Sequence, residues 1–155
     1  METGSCSLKL LIGKAMNKKL VIYTDGGARG NPGPAGIGVV IFDGQEKNIL
    51  GQYKKYIGET TNNQAEYQAV VLGLQEAKKL KAQEIEVRMD SELICSQING
   101  RYKVKNPDFQ DSFIKIWNLK QFFKKTEFKY IPREKNKLAD SLANQSMDTA
   151  LALLT

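Results

Sequence analysis

A chain of 155 residues, 41% hydrophobic and 26% charged, is the size and mix of one soluble domain able to bury its own core. Twenty-three Lys and Arg against 17 Asp and Glu leave a net charge of +6, which suits a polyanionic partner. The absence of histidine excludes Ser-His-Asp and Cys-His catalysis and any imidazole-zinc site, so chemistry must run on carboxylates, amines, hydroxyls or metals.

Residues 1–17 read as a loosely ordered extension, with Met16 a possible internal start. Their one apolar patch, Leu8 to Ile12, is far shorter than the roughly 18 residues of a membrane span, so no membrane partner is expected. Cys6 and Cys95 make neither a disulfide framework nor a metal knuckle, and are expected to be reduced thiols in a cytoplasmic protein. A single domain is expected over 18–148. Its first strand is Lys19 to Thr24, ending at Asp25 and a Gly-rich turn, and two more strands follow at Gly36 to Phe42 and Ile49 to Ile57. The Asp43-Gly44 turn signal between them makes the three an antiparallel meander.

Thr61 with Gln64 three residues on has capping-box spacing, and Tyr67, Val70, Val71, Leu74 and Ala77 then recur at helical steps. Glu84 to Met89 alternates as a fourth strand and stops at Asp90-Ser91, where a helix can start. This strand-helix-strand order implies parallel pairing. Asn106-Pro107-Asp108 opens another helix, whose aromatics Phe109, Phe113 and Trp117, with Phe123 beyond it, read as core. Glu127 to Ile131 is a fifth strand stopped by Pro132, and a last helix runs from about Asn136 with Leu138 and Leu142 on one face. Residues 149–155 read as a short docked or frayed tail. The predicted fold class is α/β: a mixed five-stranded sheet, three antiparallel strands then two in parallel βα units, flanked by about four helices.

Four acids fall at element ends or among apolar neighbours: Asp25, Glu66, Asp90 and Asp140. Asp25 and Asp90 each follow a strand read as central, where carboxylates crowding one site repel unless a cation joins them. Magnesium suits such a site because it takes oxygen ligands and keeps waters that a phosphate can displace. Taken alone, Asp90 and Glu66 also read as helix caps or macrodipole partners and Asp140 as a solvated helix acid, while Asp25 is sharper. The glycine-rich stretch after Asp25 exposes backbone to a large ligand, yet lacks the Gly-Lys-Ser/Thr that closes a P-loop.

Four motifs together are more specific than any one of these acids: YTDGGARGNPGPAGIGVV from Tyr23, TTNNQAEYQAVVLGL from Thr60, VRMDSELI from Val87 and NKLADSLAN from Asn136. In order and spacing they resemble ribonuclease H of type 1, over about Lys18 to Met147. The resemblance implies that Asp25, Glu66, Asp90 and Asp140 are both catalytic and metal ligands. They would hold two divalent ions, normally Mg2+ with Mn2+ able to substitute, about one phosphate of the RNA strand in an RNA/DNA hybrid. One ion would lower the pKa of a water and the other would neutralise the leaving 3′ oxygen, giving 5′-phosphate and 3′-hydroxyl products. It also assigns substrate contacts to Gly26, Gly27, Arg29, Asn31, Thr61, Asn62 and Gln64. Amides suit a 2′-hydroxyl because they both donate and accept.

Three departures qualify the resemblance. Many members carry a histidine in the loop before the last Asp, where this chain reads Pro132-Arg133-Glu134-Lys135-Asn136, so Arg133 or Glu134 is the expected replacement. Only Asn99 to Asn106 joins the two middle helices, which makes this a compact, archaeal-like variant without the family's basic protrusion and extends the expected partners to double-stranded RNA. Glu92 stands where members often have an amide. Residues 101–140 hold eleven Lys and Arg against five Asp and Glu, so the entire surplus lies there. Lys103, Lys105, Lys120, Lys124, Lys125, Arg133, Lys135 and Lys137 are therefore expected to line a backbone-binding surface. The expected protein is a monomeric endonuclease; the alternative is a catalytically weak hybrid- or double-stranded-RNA-binding module.

Overall fold

The computed structural model describes residues 19–100 and 103–154; the N-terminal extension, with Cys6 and Met16, lies outside them. Strands β1 (Lys19–Ala28), β2 (Gly33–Asp43), β3 (Ile49–Thr60), β4 (Glu84–Met89) and β5 (Lys125–Tyr130) form one sheet in the order β3-β2-β1-β4-β5. The first three pair antiparallel, while β4 pairs parallel with both β1 and β5. Helices α1 (Asn62–Lys79), α2 (Glu92–Ile98), α3 (Pro107–Lys120) and α4 (Lys137–Leu154) surround it, and a 3-10 turn at Arg133–Lys135 precedes α4. The α/β class, the strand count and the pairing senses all follow the sequence expectation.

Period-two alternation decides the two faces. Leu20 and Ile22 of β1, Val39 and Ile41 of β2, and Ile85, Val87 and Met89 of β4 point into one core. Tyr67, Val70 and Leu74 of α1, Ile94 and Ile98 of α2, and Phe109 and Ile116 of α3 cover it. The opposite face takes α4, packed on β2 and on the neighbouring parts of β3 and β1. Helix starts follow their caps: Thr61 and Gln64 complete the capping box, Ser91 accepts from Ile94 N–H, and Asn106 accepts from Asp108 N–H ahead of Pro107.

Several expectations need correction. Strand β1 does not stop at Thr24 but runs through Asp25, Gly26 and Gly27 to Ala28, because β2 continues to pair with it as far as Ala28 opposite Ala35. A glycine-rich string reads locally as a turn, and here a neighbouring strand overrides that propensity. Trp117 is 57% exposed rather than core. In α4 the buried face is Ala139, Ala143 and Met147, while Leu138 is 51% exposed. The cause lies across the interface, where Gly36 and Gly38 bring the β2 backbone against the helix backbone at Ala139 and Ala143. Residues 149–154, read as a tail, continue α4.

Candidate active site

Three segments deliver acids to one end of the sheet. Asp25 sits in β1 opposite Gly38, Asp90 follows the last residue of β4, and the two strands run side by side in the same sense. Glu66 is brought in from α1 by a close backbone approach. A Cβ on Gly26 would lie 2.3 Å from the Ala65 carbonyl oxygen and 2.7 Å from Glu66 N, so only glycine lets α1 start this near β1. One oxygen each of Asp25, Glu66 and Asp90 lies within 4.8 Å of the others. Asp140, in the first turn of α4, lines the same cleft with Gly26, Gly27, Arg29, Asn62 and Arg133; its volume is about 390 Å³.

The carboxyls are crowded and dry. Asp25 is 7% exposed and Glu66 8%. Burial first, then the Asp90 charge and a hydrogen bond with Asp140, push Asp25 up to about 8. Burial likewise raises Glu66 well above the ordinary carboxylate range, helped by Asp25 and Asp90, although Gly26 N–H donates to its carboxylate. The second oxygen, Glu66 Oε2, is buried with no hydrogen-bond partner. An unpaired buried oxygen inside an oxygen-only ligand set is what a hard divalent cation would satisfy. Octahedral ligands at about 2.1 Å lie about 3 to 4 Å from one another, which the carboxylate spacing accommodates. Asp25, Glu66 and Asp90 therefore fit a metal ion, and Asp140 stands beside them.

The residues expected to touch substrate divide into two groups. Asn31 Oδ1 accepts from Asn62 N–H at 3.0 Å, and Asn62 Oδ1 accepts from Ala28 N–H at 2.7 Å. These bonds clamp the turn after β1 to the start of α1 and leave the amide NH2 groups as donors for a ligand. Arg29 is anchored at the rim by Asp148 at 2.5 Å and by the Asn144 carbonyl oxygen at 3.4 Å. Gln64 and Thr61, by contrast, are engaged with each other in the capping box, and Gln64 also accepts from the Thr60 hydroxyl. Gln64 borders a separate groove with Gln68 and Asp111.

In the loop before α4, Arg133 reaches the cleft and lies 3.9 Å from Asp140, whereas Glu134 is exposed and is not among the cleft residues. The proposed basic surface is not one surface. Lys125 pairs in register with Glu84, and Glu84 with Lys19, so Lys124 and Lys125 lie at the sheet end away from Asp25. Six residues of β1 separate the two ends, about 20 Å. Sequence reasoning also missed Asn136, which is 1% exposed. Its Nδ2 donates to the Thr24 carbonyl at 2.9 Å and to Asp90 Oδ2 at 3.0 Å. An Asn before a helix reads as an ordinary cap, so spacing carried no signal of this role.

Comparison with known proteins agrees with this geometry. A family model described as reverse transcriptase-like matches residues 23–146. The bifunctional protein Rv2228c of Mycobacterium tuberculosis is 45% identical over 132 residues, 85% of this chain but 36% of its own length. The chain thus spans about a third of that relative. The solved N-terminal ribonuclease H domain of Rv2228c superposes with a TM-score of 0.85 at 43% identity, covering 88% of this chain and 99% of that one. LC11-RNase H1 from compost, solved in complex with an RNA/DNA hybrid, has a TM-score of 0.80 at 52% identity, covering 85% of this chain and 99% of its own. Ribonuclease H of Pseudomonas entomophila is 33% identical, with 88% of this chain and 99% of that protein covered. A likeness that takes in nearly the whole of the pseudomonad protein, on a sheet that gathers its acids at one end, makes this chain a member of the ribonuclease H family.

Proposed function

We propose that the protein is a metal-dependent endoribonuclease that hydrolyses the RNA strand of RNA/DNA hybrids. The observation that carries this reading is the meeting of four acids from four separate segments, Asp25, Glu66, Asp90 and Asp140, in one cleft rimmed by amides and arginines. A pure polyanion binder would gain nothing from concentrating buried negative charge where phosphates must lie. Asp25, Glu66 and Asp90 would hold the ion or ions, with Asp140 completing a second position.

Bound Mg2+, or Mn2+ in its place, would supply Lewis acidity that activates water and offsets charge on the leaving 3′ oxygen, in keeping with a two-ion displacement that leaves 5′-phosphate ends. The chain's own groups do the rest. Asn31 and Asn62 present amide donors to the 2′-hydroxyls that mark an RNA strand, and Gly26 and Gly27 let its backbone approach. Arg29 and Arg133, both lining the cleft, offset phosphate charge at the rim. Arg133, beside Asp140, takes the place of the loop histidine that other members carry, and orients the acid that it faces. With only residues 99–106 joining α2, which ends at Ile98, to α3, which begins at Pro107, the duplex is gripped over a shorter span. Double-stranded RNA is accordingly a second substrate in this reading, and the protein acts as a monomer.

The test compares end-labelled RNA/DNA hybrid, double-stranded RNA, double-stranded DNA and single-stranded RNA, with and without Mg2+, for wild type and Asp25→Asn. Metal-dependent cutting of the RNA strand, lost in Asp25→Asn while hybrid binding persists, is the expected result. Hybrid binding without cleavage in either Mg2+ or Mn2+ would overturn the enzyme reading in favour of a binding module.

A further inference from the structure

We propose that Asn136 is a positioning residue of the carboxylate site, joining three of its four acid-bearing segments, β1, the end of β4 and α4. It rests on the metal-dependent reading above and goes beyond it, since Asn136 would bind neither ion nor substrate. Its side-chain nitrogen donates to two acceptors at once, the carbonyl of Thr24, which directly precedes Asp25, and Asp90 Oδ2. Turning the amide over would set its oxygen against both of these oxygens, so the hydrogen bonds themselves decide which atom is the nitrogen. Its backbone carbonyl accepts the N–H of Asp140 at 3.1 Å, the first helical bond of α4. One residue thus ties Asp90 to the strand that carries Asp25 and starts the helix that carries Asp140.

The contact has a direct consequence for metal binding. It occupies one oxygen of Asp90, holds the carboxylate in one rotamer and leaves the other oxygen for an ion. The amide oxygen, Asn136 Oδ1, is buried with no partner, a cost that a residue serving stability alone would shed. Glu66, the remaining acid, is placed independently through Gly26. Asn136 therefore governs Asp90 and Asp140 relative to Asp25 and leaves Glu66 alone.

The experiment titrates Mn2+ into the metal-free full chain by calorimetry, for wild type and Asn136→Ala, alongside thermal unfolding and hybrid cleavage. Loss of a group that orients a ligand costs about 10- to 100-fold in metal affinity. Asn136→Ala is expected to weaken Mn2+ binding by that factor and to lower kcat at limiting metal. KM for the hybrid should stay within about twofold, with part of kcat restored by excess Mn2+. Where Asn136→Ala unfolds below the assay temperature, Asn136→Ser, which keeps a small hydroxyl donor, is read in the same way. A folded variant with wild-type Mn2+ affinity overturns the proposal, because a purely structural role moves the melting temperature and not the affinity. Wild type that takes up no divalent ion overturns the metal reading itself, and this inference with it.

Discussion

Replacing Gly38 by Ala tests whether the α4 interface sets the site. A Cβ there would lie 2.2 Å from the Ala139 carbonyl oxygen, 2.8 Å from Ala143 N and 2.8 Å from Leu142 Cβ. Ordinary contacts need more than 3 Å, so the two backbones must part by about 1 Å. Strand β2 cannot yield, because Gly38 is paired on both sides, with Asp25 in β1 and with Lys54 in β3. The displacement falls on α4, and Asp140 is the residue after Ala139. Overpacking of this kind costs about 1–3 kcal/mol, which lowers the melting temperature of a domain this size by roughly 2–12 °C. A misplacement of about 1 Å in a catalytic group costs on the order of 100-fold in rate. Thermal unfolding followed by circular dichroism and single-turnover cleavage of a hybrid read the two effects separately. Gly38→Ala with a melting temperature within about 1 °C of wild type and cleavage within about twofold would refute the reasoning.

The carboxylate cluster makes stability depend on pH and metal together. Asp25, raised from 3.8 to about 8, and Glu66, also raised, keep protons in the folded metal-free protein that the unfolded chain releases above about pH 4. Their contribution is therefore whole below that pH and is lost as pH rises towards 8, so added Mg2+ should raise the melting temperature more at pH 8 than at pH 6; equal shifts would contradict this. Glu86 works in the other direction. Burial pushes it up, but hydrogen bonds from Lys129, Arg88 and Lys19 outweigh burial and bring it from 4.5 down to about 2. That stability is present above pH 4.5 and disappears as pH falls towards 2. Allowing for solvent around the two lysines, it is about 2 kcal/mol, and Glu86→Gln should flatten the acid limb of a urea-unfolding series by that amount. Finally, substituting Lys124 and Lys125 together by Ala should change hybrid affinity less than about twofold and leave its salt dependence unaltered, since both lie away from the cleft. A salt slope reduced by two charges would place the duplex on that end of the sheet.

Local pattern was enough for most of the chain. Capping signals at Thr61, Ser91 and Asn106, the β-rich run of β2 and the period-two alternation of β4 are written in adjacent residues, so the order of elements and their pairing senses were legible. Asp25, Glu66, Asp90 and Asp140 could be singled out as candidates, because acids at strand and helix ends stand out against apolar neighbours, and their joint role was an expectation from the four motifs. What a residue faces across an interface is a different kind of information. Leu138 looks like part of the inner face of α4 until the glycines of β2 are set against it, and Trp117 looks like core until α3 is docked through Phe109 and Ile116. The extension of β1 through Gly27 was hidden because its partner, not its own propensity, holds it extended.

The amino-acid sequence by itself determined the order of the elements, the absence of histidine and the four candidate acids, since each rests on residue type and short-range spacing. Only the tertiary structure decided that three of those acids converge within 4.8 Å, that burial and their crowding raise Asp25 and Glu66, and that Asn136 ties the segments of Asp25, Asp90 and Asp140. It also decided that Lys124 and Lys125 stand apart from Arg133, although all three belong to one basic stretch of chain. Electrostatic coupling and hydrogen bonding act over a few ångströms of space, and residues 112 apart such as Thr24 and Asn136 become neighbours only once the sheet and α4 have packed.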